Sequence, residues 1–104
     1  MALIPQNGQN QNIPIAQYQT ASVGYIWVVF SMITPDYASV SLELWNSKQD
    51  KFLSNPNNQP ITTFNIGNVT AQFNTTDLGN VVNTFAINFL QTNFNATFVV
   101  TDIN

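Results

Sequence analysis

Apolar residues along the chain fall into short runs separated by Asn, Gln, Ser, Pro and Gly. The longest run, Tyr25-Ile26-Trp27-Val28-Val29-Phe30-Ser31-Met32-Ile33, is nearly unbroken. A membrane-spanning helix needs about 20 apolar residues, so this run is too short for one. Its β-branched and aromatic residues favour extended backbone. Alternation puts Tyr25, Trp27, Val29 and Ile33 on one face and Ile26, Val28, Phe30 and Met32 on the other. Both faces are apolar. That predicts a strand central in its sheet and covered on both sides.

Thr34-Pro35-Asp36-Tyr37 follows with ordinary turn chemistry. Next, Ala38-Ser39-Val40-Ser41-Leu42-Glu43-Leu44-Trp45 alternates cleanly. Ala38, Val40, Leu42 and Leu44 are expected in the core, with Ser39, Ser41, Glu43 and Trp45 facing out. The two strands predict an antiparallel hairpin. A long polar loop, 46–60, comes after it. Ile61–Ile66 and Val69–Asn74 flank Gly67-Asn68, a connection that reads as a tight hairpin turn.

The segment 77–91 carries two competing patterns. Thr75-Thr76-Asp77 suits a helix cap, and Leu78, Val81, Val82, Phe85 and Phe89 share a helical face. Its Gly, Asn, Val and Phe residues are middling or poor helix formers. A strand over 84–91 is preferred, with a helical turn near 77–82 as the alternative. Residues 96–103 predict a last strand. The fold class expected is all-β, an antiparallel sandwich of jelly-roll type, with α+β and one short helix near 77–91 as the alternative.

The first twenty residues look different. A polar tract, Gln6-Asn7-Gly8-Gln9-Asn10-Gln11-Asn12, separates Ala2-Leu3-Ile4-Pro5 from Ile13-Pro14-Ile15-Ala16. Two apolar groups around a soluble spacer predict an extended arm over 1–20 that docks on a neighbouring subunit, ahead of one β domain over 21–104. Leu3, Ile4, Ile13 and Ile15 are its expected anchors. No charged stretch leads into a long apolar one, so no secretory signal is read here.

Composition narrows the function. The chain has 104 residues, enough for one core. Only 7% of them are charged, against roughly 25% in ordinary domains. Sixteen Asn, nine Gln and eleven Thr take their place, and the net charge is −3. With Lys48 and Lys51 the only cationic side chains, nucleic acid and anionic membranes are poor partners. There is no Cys and no His. Thiol chemistry, His-activated nucleophiles and the commonest transition-metal ligands go with them.

The remaining acids are Asp36, Glu43, Asp50, Asp77 and Asp102, each with a structural role as turn, strand, loop or cap residue. No enzyme, cofactor or metal is therefore expected. Trp45, with Tyr37 and Asn46 beside it, is the candidate for a sugar or interface contact, and Trp45 packed beneath the long loop is the plainer reading. Weak charge also leaves strand edges unprotected against pairing. The function expected is a structural subunit that self-assembles into a filament, coat or shell through its arm and strand edges, in an extracellular or particle-surface setting. The alternative is a small carbohydrate-binding module.

Overall fold

The computed structural model describes residues 2–34, 37–52, 58–70 and 78–101. The fold is mostly antiparallel β, in two sheets, with one long helix. Its elements are β1 (Ala2–Pro5), β2 (Gln11–Ala16), β3 (Gln19–Val23), β4 (Tyr25–Thr34), β5 (Tyr37–Trp45), α1 (Lys48–Lys51), β6 (Thr62–Thr70), α2 (Leu78–Phe94) and β7 (Phe98–Val100). The larger sheet has the order β6-β5-β4-β1-β7, and β2 and β3 form a separate hairpin.

β4 occupies the centre of the larger sheet, as its two apolar faces require. It pairs with β5 from Tyr25↔Trp45 to Met32↔Ala38, then slips by one residue before Thr34↔Tyr37. This register puts Ile26, Val28 and Phe30 beside Leu44, Leu42 and Val40 on the inner face. With Leu3 and Phe98 they join a core closed from above by Ile13, Ala21 and Val23 of the hairpin and Val82, Ala86 and Leu90 of α2. One layer is thus the sheet, and the other is part hairpin and part helix.

Residues 78–94 are helical, so the preferred strand over 84–91 gives way to the helical alternative in a longer form. Val82, Ala86 and Leu90 recur every four residues and are fully buried. Burying that stripe outweighs the weak intrinsic propensity of the Asn and Phe residues around it. Asn95 ends the helix in the left-handed region (φ 52°). Its N–H reaches the Gln91 carbonyl at 3.1 Å, and the Ala96 N–H reaches Leu90 at 3.3 Å. Such an ending uses Gly or Asn because few other residues tolerate it. The predicted Thr75-Thr76-Asp77 cap lies outside the described residues.

Gly67-Asn68 is not a hairpin turn. β6 runs straight through it, pairing with β5 from Thr62 to Thr70, with a register shift at Ile66. Gly67 has φ +115°. A bulge and a tight turn both use positive φ, so the same dipeptide signals either.

The N-terminal segment is built into this chain's own fold rather than projecting as an arm. β1 lies between β4 and β7, with Leu3 paired to both Ile26 and Val100. Leu3 and Ile13 are fully buried and Ile15 packs against the same core, while Ile4 is partly exposed on the outer face. The polar spacer supplies a tether as well. The Gln11 side-chain amide donates to the Thr97 carbonyl (2.6 Å) and accepts from the Thr97 N–H (3.0 Å).

Candidate functional site

The outer face of the larger sheet divides in two. At one end Tyr25, Trp27, Glu43 and Trp45 are neighbours through the β4–β5 register. Ser47 caps α1 by accepting the Asp50 N–H at 3.1 Å. That short turn lays Lys51 and Phe52 over the aromatic residues. The Lys51 ammonium sits 5.4 Å from the Trp27 ring, 5.2 Å from Trp45 and 5.9 Å from Phe52. Its charge is met by Glu43 Oε1 at 3.3 Å, which also accepts from Trp45 Nε1 at 3.3 Å. Phe52 meets Tyr25 and Trp27 edge to face. Ring faces carry negative potential, so they stabilise the ammonium where water is partly excluded.

Tyr25 is fully buried here and its hydroxyl has no hydrogen-bond partner among the described residues. Burial pushes the Tyr25 phenol above its ordinary pKa. Asn83 Oδ1 in α2 is a second buried polar atom without a partner.

Trp45 does point away from the main core, but it is only 4% exposed because α1 covers it. Tyr37 stands at the opposite end of β5, eight residues or about 26 Å away along an extended strand. Its hydroxyl accepts from the Asn68 side-chain amide. Asn46 is used in a clamp. Its Nδ2 donates to the Ser22 carbonyl (3.2 Å), and the Asn10 amide donates to Ser22 Oγ and the Asn46 carbonyl, both at 3.1 Å. Trp45, Tyr37 and Asn46 therefore do not form one aromatic platform. Gly24 lies inside the clamp, where a Cβ would meet both the Asn10 side chain and the Asn46 carbonyl.

The other half of the outer face is uncovered by described residues. It carries Val29, Ser31, Ser39, Ser41, Asn65 and Asn68, with Val29 38% exposed. It ends at β6, a nine-residue edge strand that pairs with β5 alone among the described residues. β6 contains no charged residue and no proline. Beside it, Val69 meets Val81 and Phe85 of α2 around an open, mainly apolar groove of about 390 Å³ rimmed by Asn80, Thr84 and Asn88.

The sequence points to unprotected edges but not to which strand forms one. Absence of charge and Pro does not single out β6, because 15–34 and 78–101 are longer runs of the same kind; its edge position is visible only in the fold. Among the described residues no helix is long and apolar enough to cross a membrane, and no three acidic side chains gather. Comparison of the chain with protein-family models, curated proteins and solved structures finds no match.

Proposed function

We propose that this protein is a non-enzymatic structural subunit that associates with copies of itself through the free edge of β6. The observation that carries the reading is the edge: a nine-residue strand whose outward backbone groups meet no charge and no proline among the described residues, with the bulge at Ile66 as its one interruption. Proteins that remain single usually protect such an edge. The apolar groove between β6 and α2 lies alongside, so one incoming strand and its flanking side chains would satisfy both. The chain's net charge of −3 does not oppose this contact, because neither the strand nor the groove contributes a charged side chain.

Pairing β6 with β6 of a second copy closes into a two-fold dimer. Pairing β6 with the opposite edge strand, β7, runs head to tail and builds a filament or shell. Association through a projecting N-terminal arm drops out of the reading, since β1 spends its backbone hydrogen bonds on β4 and β7. An extracellular or particle-surface setting belongs to the same proposal and rests on the sparse charge alone.

Light scattering after size-exclusion chromatography, with negative-stain microscopy, tests the proposal. The wild-type chain is expected above its 11.6 kDa monomer mass. The double variant Asn65→Lys, Asn68→Lys is expected at that mass, with an unchanged circular dichroism spectrum. Both side chains are exposed on the edge strand, so the added charge opposes pairing. The Asn65–Gly67 and Asn68–Tyr37 hydrogen bonds are lost with it, and the unchanged spectrum is the control that the fold survives. A wild-type monomer at all accessible concentrations defeats the reading.

A further inference from the structure

The β2–β3 hairpin turns on two residues, Gln17 and Tyr18. Tyr18 is 95% exposed and has φ +68°. A two-residue turn with positive φ at its second central position ordinarily takes Gly or Asn there. A bulky aromatic residue in that conformation is strained, and strain of this kind gathers at functional positions. This chain has sixteen Asn, yet it puts a tyrosine at a turn position where Asn is the easier choice.

Tyr18 is one of the residues lining an open groove of about 660 Å³ between the hairpin and the end of β5. Ile15 and Ile61 give the groove apolar patches, and Gln19, Ser22 and Asn46 supply amide and hydroxyl groups. No charged residue lines it. The wall is fixed in place, because the Asn10–Ser22–Asn46 clamp ties the base of the hairpin to the chain after β5. We propose that this groove binds a neutral saccharide, with the Tyr18 ring stacked on the apolar face of one sugar ring and the flanking amides and hydroxyls meeting its hydroxyl groups.

The chemistry selects that class. A phosphate or nucleotide needs a cation, and the lining has none. A wholly apolar ligand would displace water from the exposed Gln19 amide without replacing its hydrogen bonds. A sugar presents CH groups on one face and groups that donate and accept around its rim. An exposed tyrosine between amides meets both requirements at little cost in side-chain ordering. The groove reaches β6 only at Ile61, just before its first residue, and includes neither Asn65 nor Asn68, so it neither requires nor excludes self-association.

The test is titration of the full-length chain with D-glucose, D-galactose, D-mannose, N-acetylglucosamine and their β-1,4-linked oligomers, followed through amide and Tyr ring resonances to about 10 mM ligand. Saturable shifts at Tyr18, Gln19 and Ser22 are expected with at least one of them. Tyr18→Asn is expected to weaken that binding about tenfold or more while raising the melting temperature, because Asn relieves the backbone strain. A merely structural Tyr18 would not give gain of stability together with loss of binding. The Asn65→Lys, Asn68→Lys variant is expected to bind sugar as the wild type does, which separates this proposal from the self-association reading. Absence of any shift across the panel overturns the proposal. So does binding that survives Tyr18→Asn, or saturable binding of a neutral proline-rich peptide at Tyr18 in place of sugar.

Discussion

One face of one sheet carries two unlike surfaces. Around Tyr25, Trp27 and Trp45 it is aromatic, and a single turn of helix covers it with Lys51 and Phe52. Around Val29, Ser39 and Ser41 it is flat and small-chained, with no cover among the described residues. The same two strands run through both halves. The difference lies in side-chain size and in where the one ion pair seen among the described residues falls. Large rings need a cover to bury their area, and Lys51 with Phe52 supplies one. Serine and asparagine do not, because water satisfies them. The covered half therefore contributes stability, and the bare half leaves surface and a strand edge open to contact.

Substitutions can break or sharpen that contrast. The largest effect is expected from Trp45→Ala, at about 3–5 kcal/mol lost in urea unfolding, as for a large buried ring removed from a packed site. A loss below about 1 kcal/mol would mean the covered half is no second core. Tyr25→Phe is expected to stabilise by about 1 kcal/mol, since it removes a buried hydroxyl that has no partner. It also bears on pH. The folded-state pKa of Tyr25 is raised, so the unfolded chain loses this proton first as pH climbs past about 10. Wild-type stability should thus be fully present below that pH and decline above it, with a shallower decline in Tyr25→Phe; equal slopes for the two proteins would refute the account.

Lys51→Met keeps the stem and deletes the charge. A loss of roughly 0.5–1 kcal/mol is expected, small because the Glu43 partner is part-exposed, and it should shrink in high salt. The smallest effect belongs to the bare half. Ser39→Ala should change unfolding free energy by less than about 0.5 kcal/mol. A larger change would show that this surface is covered after all.

How far the sequence discloses this arrangement depends on the range of the interactions involved. The β4–β5 hairpin is readable because its alternation is local, from Ala38 through Leu44. The outward direction of Trp45 is readable for the same reason, and its packing beneath the following loop is the plainer expectation that the structure meets; the detailed contacts are not readable. The cover comes from Lys51 and Phe52, six and seven residues later, through ring contacts that no periodicity encodes. Gly67-Asn68 misleads because a bulge and a turn share one backbone requirement. The N-terminal residues resemble a flexible arm because Gln and Asn dominate them. What orders them is long-range pairing: Leu3 with Ile26 and Val100, and Gln11 with Thr97. In the α2 segment the buried positions Val82, Ala86 and Leu90 are helical in spacing, yet Phe85, Ile87 and Phe89 alternate as a strand does. The sheet's need for a cover decides between them. The groove beside Tyr18 was beyond sequence reading, since it joins residues 15–22 to Asn46 and Ile61.

The position of β1 also sets the order of events during synthesis. It is made before both its neighbours, β4 and β7, and β7 follows β4 by more than sixty residues. The Thr101 N–H then donates to the Ala2 carbonyl at 3.1 Å, bringing together residues nearly a full chain length apart. Contacts of such long sequence separation make folding slow. During synthesis one edge of β1 can therefore pair with β4 early, while its other edge, with Ile4, stays unpaired until β7 emerges. Until then the amide-rich spacer, Gln6 to Asn12, keeps the segment beside β1 hydrated.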